Sequence, residues 1–137
     1  MSGETNLIKL LQSMEPILYP EEYVFCSVGS INPTNNSEDF YAYLAPIGLF
    51  RESEGTTLIL KREKADLAAL SYTSIFCMIT LSVHSSLEAV GFLAAITNKL
   101  AQHNISVNPV SAYYHDHLFV PIDLANEAMI LLQEFSK

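Results

Sequence analysis

The sequence predicts an α+β protein of two small modules, each an antiparallel sheet with helices packed on one face. Stretches rich in β-forming residues alternate with stretches whose apolar residues recur at helical spacing. Residues 75–137 give the order β-α-β-β-α, and residues 5–70 give α-β-β-β-α with a loop insertion. We therefore divide the 137 residues into an N-terminal module, 1–71, and a C-terminal module, 72–137, each too short to bury much surface alone.

The N-terminal module begins with a predicted helix over 7–14, whose buried face consists of Leu7, Leu11 and Met14. Thr5 is the expected N-cap, and Pro16 ends the helix. The remaining elements are a strand at 23–28, a polar loop at 29–39, strands at 43–51 and 56–61, and a short helix at 63–70. Glu54-Gly55 is the expected hairpin turn between the last two strands.

The C-terminal module has clearer periodicity. A strand is predicted at 75–83, with one apolar face formed by Cys77, Ile79, Leu81 and Val83. Ser85 and Glu88 have the spacing of a capping box, so a helix is expected to begin there and to end at Gln102. The residues expected on its inward face are Val90, Leu93, Ile96 and Leu100.

Two more strands and a helix complete the module. The strands are predicted at 105–113 and 117–120, with a tight turn at His115-Asp116 between them. Asp123 is expected to cap the last helix, which buries a stripe of Leu124, Ala128, Leu131 and Phe135.

The order of these elements also predicts which loops meet. A right-handed crossover through the helix makes the strands at 75–83 and 105–113 parallel. The loop Ser85–Gly91 and the turn His115–His117 would then lie at the same end of the sheet.

Composition excludes several classes of partner. The net charge of −8 divides into −5 for residues 1–71, with five basic and ten acidic side chains, and −3 for residues 72–137, with two and five. Without a basic patch, neither module suits nucleic acid or an anionic membrane. Charged residues make up 16% of the chain, below the roughly 25% of average domains. We therefore expect one face to be buried in a homodimer or another homo-oligomer.

The expected location is the cytoplasm. No signal peptide precedes the first helix, and the uncharged stretch 67–87 contains too many Ser and Thr residues for a membrane span. Cys26 and Cys77 each lie in an apolar run, where a lone cysteine packs as a small hydrophobic residue rather than forming a disulfide.

The sequence contains no nucleophile elbow, phosphate-binding loop, paired-cysteine motif or dinucleotide fingerprint. It therefore predicts a protein without catalytic activity, cofactor or bound metal.

The segment 87–107 resembles the first helix and second strand of an ACT domain. The matching positions are Gly91 near the helix start, Leu100-Ala101 at the helix end and Ile105 opening the next strand. ACT domains bind amino acids or other small effectors and regulate attached proteins. The resemblance therefore implies a small-molecule effector and ferredoxin-like modules. In such a module, the strand at 75–83 would lie between the other two strands of residues 75–120.

Nearly the whole chain resembles a bacterial family of stand-alone tandem ACT-like proteins, related to the ACT modules of eukaryotic arginine sensors. The motifs that carry the resemblance are 23–26, 50–58, Val83–Gly91 and 115–121. Common ACT domains have Asp and Pro before the helix, and here those places hold Ser85 and Ser86. Since the chain shows no output domain, the resemblance implies that any regulated protein is a separate chain.

The candidate ligand-binding residues lie on the loop before the helix, at the second hairpin and at one position between them. They are His84, Ser85, Ser86, Leu87, Glu88, Val90, Gly91, Asn108, His115, Asp116 and His117. Helix N–H groups would bind a ligand carboxylate and acidic side chains an amine, where two modules or two subunits meet.

Each of these clusters also has a structural interpretation. Ser85 and Glu88 could serve only as caps, and Gly91 could serve only helix–sheet packing. The His115–His117 turn could tie the hairpin together, line an effector pocket, or bind a metal with His84. The segment 51–57 is either a solvated turn or a ligand contact.

Three functions remain open. The preferred one is a ligand-responsive regulatory protein. The others are a metal-dependent enzyme using His84, His115, Asp116 and His117, and a protein-interaction module without ligand.

Overall fold

The computed structural model describes residues 6–29, 37–83, 86 and 89–136. The chain divides into two compact units, one formed by Met1–Pro20 with Cys77–Lys137 and the other by Glu21–Phe76. Packing groups the N-terminal helix with the C-terminal half of the chain, since Leu10 and Met14 belong to the same apolar core as Ile79. The first strand is 14 residues long and contributes residues to both units.

The helices and strands of the described residues are numbered in the order in which they occur along the chain. They are α1 (Leu7–Ser13), β1 (Glu15–Val28), α2 (Ser37–Leu44), β2 (Gly48–Glu52), β3 (Gly55–Lys61), α3 (Arg62–Leu67), β4 (Phe76–Ser82), α4 (Phe92–Ala101), β5 (Asn108–Ser111), β6 (Asp116–Pro121) and α5 (Ala125–Gln133). Short 3-10 turns at Ile122–Leu124 and Glu134–Ser136 flank α5. None of the helices within the described ranges has the length and apolar character to cross a bilayer.

In the unit Glu21–Phe76, the strand order is β2-β3-β1. β3 pairs antiparallel with both neighbours, so that Leu58 lies opposite Cys26 on β1 and opposite Leu49 on β2. The apolar core is small and consists of Val24, Cys26, Leu44, Leu58, Leu60 and Ala65. As predicted, Cys26 is a buried free thiol, and burial, followed by the charge of Asp66, raises its pKa.

Helix α2 is the main error of the sequence prediction, which placed a loop and the start of a strand there. Its aromatic residues favour strands by propensity. Tyr41 and Leu44, however, are three residues apart and both pack into the core of their unit, as one face of a helix requires. The helix ends where Ala45 adopts a φ of 46° and Pro46 follows, a left-handed residue and a proline that both stop helices.

The other unit begins with α1. Its N-cap is Asn6 rather than the expected Thr5, which lies outside the described residues; the Asn6 Oδ1 accepts a hydrogen bond of 3.1 Å from the Lys9 backbone N–H. Leu10 and Met14 are fully buried, whereas Leu7 is exposed, so the buried face is rotated from the predicted one.

The order β-α-β-β-α predicted after residue 75 is confirmed. β5 and β6 form an antiparallel hairpin, and the strand order is β1-β4-β6-β5. The expectation that β4 lies between β5 and β6 is wrong, because the hairpin returns β6 into the position beside β4. The core of this unit is formed between the sheet and the helices by Ile79, Leu81, Ile96, Leu100, Leu118, Val120, Ala128 and Leu132, among others.

Both helices of this region begin later than the capping patterns predict. α4 begins at Phe92 after Gly91, its N-cap, which adopts a φ of 89°. Val90 consequently lies outside the helix and is 85% exposed instead of buried. α5 follows a 3-10 turn and has Leu124 rather than Asp123 as its N-cap, with no capping side-chain hydrogen bond.

Candidate ligand-binding cavity

A cavity of about 150 Å³ lies between the start of α4 and the β5–β6 hairpin. Its lining residues are Ser86, Ala89, Phe92, Leu93, Ser111, Ala112 and Asp116, all within one compact unit. Ser86 belongs to the loop before α4, and Asp116 belongs to the second hairpin. The prediction that this loop and this hairpin turn lie close together is therefore confirmed.

The register of the hairpin positions the polar side of the cavity. Ser111 ends β5 and lies directly opposite Asp116, which begins β6. The Ala112 N–H donates a hydrogen bond of 3.0 Å to the His115 carbonyl and closes the turn. Asp116 is 8% exposed, so its carboxylate is largely removed from water.

The loop and first turn of α4 supply the opposite wall. The Ala89 N–H donates a 3.0 Å hydrogen bond to the Ser86 carbonyl, a turn that places both residues at the cavity. Phe92 is buried, and Leu93 is half-buried beside it. The earliest hydrogen bond within α4 joins the Ala95 N–H to the Gly91 carbonyl, which leaves the N–H groups of Phe92 and Leu93 outside the helical ladder.

The three residues 115–117 do not share one environment, because side chains alternate across a strand. Asp116 is in phase with Leu118 and Val120, which pack against the helices. His117 points to the other face, where its Nδ1 lies 2.9 Å from the Thr80 Oγ1 on β4. The rings of His115 and His117 have centroids 6.3 Å apart, and neither ring lines the cavity.

His117 is half-buried, and its pKa is lowered. Burial is the largest cause; the positive charge of His115 acts in the same direction, and the carboxylate of Asp116 acts against them. The contact with Thr80 therefore joins a buried hydroxyl to an imidazole that favours its neutral form.

The other candidate residues lie elsewhere. Asn108 pairs with Phe119 at the opposite end of the hairpin from Asp116, and Val90 is exposed beside the loop. A Cβ atom added at Gly91 would lie 3.5 Å from the Leu7 Cδ2, so Gly91 faces α1 and not the cavity. His84, Ser85, Leu87 and Glu88 lie outside the described residues.

Five lining residues were missed from the sequence: Ala89, Phe92, Leu93, Ser111 and Ala112. The one signal that could have found Ser111 is the hairpin register, which requires knowing that the turn comprises residues 112–115.

The metal hypothesis gains nothing from the described residues, among which no group of three His, Cys, Asp or Glu side chains could hold an ion. It would depend on His84, which lies outside them. In the 51–57 turn, the Ser53 hydroxyl donates to Glu54 at 2.9 Å and the Thr57 hydroxyl donates to Glu52. These exposed polar groups satisfy one another, which favours the solvated-turn interpretation.

A second cavity, of about 360 Å³, lies in the unit Glu21–Phe76 and has a charged lining of Glu21, Glu22, Lys61, Arg62, Glu63 and Asp66. The Arg62 side chain already has two hydrogen-bond partners. Its Nη1 donates to Glu22 at 2.9 Å, and its Nε donates to the Tyr72 hydroxyl at 3.1 Å. The Tyr72 hydroxyl in turn donates to Asp66 at 2.7 Å. This network ties α3 to its surroundings, and sequence patterns gave no sign of it.

Comparison with known proteins gives the family. Two family models, both for the ACT domain, match residues 2–77 and 73–134. No curated protein matches the chain. A crystal structure of a Vibrio cholerae protein of unknown function, named a "Possible Transport Protein", is 48% identical, with a TM-score of 0.84 and coverage of 96% of each chain.

Two more distant structures share the fold. One is an Agrobacterium tumefaciens protein, with a TM-score of 0.70 at 12% identity over 90% of this chain and 89% of that one. The other is the ligand-free regulatory subunit of aspartate kinase from Thermus thermophilus, with a TM-score of 0.65 at 9% identity over 93% and 99%. The predicted α+β class with ferredoxin-like modules is confirmed, and the chain belongs to the ACT-domain family, with two ACT domains in tandem.

Proposed function

We propose that this protein is a regulatory sensor that binds an amino acid or a similarly small molecule in the cavity between α4 and the β5–β6 hairpin. The observation that carries the proposal is the lining itself, in which a buried carboxylate and two serines face an apolar wall. Convergent polar groups beside apolar side chains are the usual form of a small-molecule site. ACT domains are regulatory modules, so family membership supports the same role.

The lining offers complementary groups to both ends of an amino acid. Asp116 and the hydroxyls of Ser86 and Ser111 can accept hydrogen bonds from an amine. The N–H groups of Phe92 and Leu93, at the positive end of the α4 dipole, can donate to a carboxylate. Because the cavity joins a loop to a hairpin, a ligand that prefers one arrangement of the two would shift the population toward it.

Regulation rather than catalysis is supported by the chemistry of the lining. Among the lining residues that the structure describes, Asp116 is the one titratable side chain, and none of these residues pairs a nucleophile with a histidine base. We propose that the response is passed to a separate protein and that the sensor acts in the cytoplasm.

A homodimer is also part of the proposal. β2 and β5 end the strand order of their units, and both carry exposed apolar side chains, among them Phe50 at 70% exposure, Leu49 and Val110. Edge strands with exposed apolar residues are commonly covered by another chain.

The test is a thermal-shift and calorimetric screen of metal-free protein against the twenty amino acids. We expect at least one to raise Tm and to bind with measurable heat. The variant Ala112→Leu places a larger side chain at an exposed lining position and should abolish that binding. Ala101→Leu, at the far end of α4, is the matched control and should bind normally. An Ala112→Leu variant that binds normally contradicts the proposed cavity, and a protein that binds none of the twenty contradicts an amino acid as the ligand.

A further inference from the structure

Helix α2 buries a polar atom that has no partner. The ring of Tyr41 packs against the small core of the unit Glu21–Phe76, and its hydroxyl oxygen is buried without a hydrogen-bond partner among the described residues. That core consists of apolar side chains such as those of Leu44 and Leu58. A buried hydroxyl that makes no hydrogen bond is destabilising, because it has given up its bonds to water. Tyr41 therefore weakens the packing of α2 against its unit.

The C-terminal end of α2 has a second unfavourable feature. Ala45, the residue after the helix, adopts a φ of 46°, in the left-handed region that residues with a Cβ atom rarely enter. Glycine is the usual residue at such a helix end. The Ala45 N–H donates a hydrogen bond of 2.9 Å to the Tyr41 carbonyl, so both unfavourable features act on the same last turn of the helix.

Helix α2 depends on packing for its position, because a helix of eight residues is not stable on its own in water. Leu44 is fully buried in the core of the unit, and the Nζ of Lys64 on α3 lies 5.1 Å from the centre of the Tyr43 ring. On the outward side, Tyr43 and Phe40 remain 48% and 38% exposed. The packing that holds α2 is therefore opposed by two features of its own last turn.

We propose that α2 is a conformational switch, which leaves its position on the sheet as one element while β1, β2 and β3 remain paired. Displacement returns the Tyr41 hydroxyl to water and releases Ala45 from its left-handed conformation, so it relieves both unfavourable features. An arrangement that is already populated to a small extent is one that a binding partner can select. The switch lies outside the unit that contains the α4 cavity, and its displacement requires no ligand.

Native-state hydrogen exchange on the full chain measures the displacement, because the hydrogen bond from the Ala45 N–H to Tyr41 breaks when α2 leaves. In the wild type, the N–H groups of residues 41–45 should have similar protection factors, about tenfold or more below those of the best protected amides in β3. Tyr41→Phe removes the buried hydroxyl and keeps the ring, so it should raise the protection of Ala45 by about tenfold. Ala45→Gly removes the Cβ atom from the left-handed residue and should raise protection at residue 45 severalfold.

Two exposed positions of the same helix provide matched controls. Tyr43→Phe removes the hydroxyl of an exposed tyrosine and should leave the protection factors of α2 unchanged. Ala42→Gly makes the same exchange of residues as Ala45→Gly, but at an exposed position inside the helix. It should lower the protection factors of α2 by about fivefold, because glycine disfavours a helix interior.

Any one of four results would overturn the proposal. Protection of Ala45 equal to that of β3 would show that α2 leaves only when the whole unit unfolds. Protection that declines steadily from residue 41 to residue 45 would show fraying of the last turn instead of displacement of the helix. Unchanged or lower protection in Tyr41→Phe would show that the hydroxyl is hydrogen-bonded in the folded protein, for example to an internal water. A loss of protection in Ala45→Gly like that in Ala42→Gly would show that the left-handed residue does not oppose the packing of α2.

Discussion

The Nδ1 of His117 lies 2.9 Å from the Oγ1 of Thr80 and links the neighbouring strands β6 and β4. Thr80 is buried and His117 is half-buried, so this contact is largely shielded from water. The described groups that carry charge near the ring are His115 and Asp116, which act on it in opposite directions.

The first prediction concerns pH. The pKa of His117 is lowered from its ordinary value of 6.5 in the folded protein, so the unfolded chain binds the proton more readily. Its contribution to stability is therefore fully present above about pH 6.5 and is lost as the pH falls through the lowered folded value. Urea unfolding of the wild type should show a larger loss of stability from pH 7.5 to pH 5 than that of His117→Gln.

His103→Gln is the matched control, because His103 is exposed beyond the end of α4. It should keep the wild-type pH dependence. If His117→Gln has the same dependence as the wild type, the ring does not contribute to acid sensitivity.

The second prediction concerns the buried face of α4. Ile96 is fully buried in the core, whereas Leu93 is half-buried at the cavity. Ile96→Ala should lower the free energy of unfolding by about 2–5 kcal/mol because it leaves a hole in a closed core. Leu93→Ala should cost less, since the space it vacates adjoins an existing cavity. Equal losses in urea unfolding would show that Leu93 is packed as tightly as Ile96.

Sequence patterns predicted best the elements whose burial is periodic. On β4, the alternation of Cys77, Ile79 and Leu81 predicted the buried face of the strand correctly, since all three residues are buried. Sequence patterns failed where a single backbone angle decides at which residue a helix begins. The left-handed Gly91 sets the start of α4, and neither a capping box nor a propensity scale reports a φ value.

The candidate site was predictable in its location but less so in its composition. Topology alone brought the loop before α4 to the second hairpin. Which of residues 115–117 faces the cavity depends on where β6 begins, because a shift of one residue moves every side chain to the other face. Since β6 begins at Asp116, that residue faces the cavity and His117 does not.

The third prediction is dimerisation in solution. Light scattering at tens of micromolar, an order-of-magnitude range in which a constitutive interface is occupied, should give about twice the mass of one chain. Phe50→Lys places a charge on the exposed edge strand β2, and Val110→Lys does the same on β5. If either edge forms the interface, the corresponding variant should become monomeric while its Tm stays near that of the wild type. A wild-type monomer at this concentration would contradict the proposed assembly.

The last prediction concerns Gly91 and its φ of 89°. Residues with a side chain rarely adopt this conformation, so Gly91→Ala should cost about 1–2 kcal/mol in urea unfolding. The added Cβ would be in ordinary contact with the Leu7 Cδ2 at 3.5 Å, so backbone strain rather than a clash causes the loss. Gly29→Ala is the control, because Gly29 has no left-handed φ and no atom lies within 4 Å of the added Cβ. The free energy of unfolding of this variant should equal that of the wild type or be slightly higher. Because Gly91 is not among the described residues that line the cavity, Gly91→Ala should also bind any amino acid that the wild type binds, wherever the variant remains folded. Equal stability of the two glycine variants would show that α4 can begin without a left-handed residue.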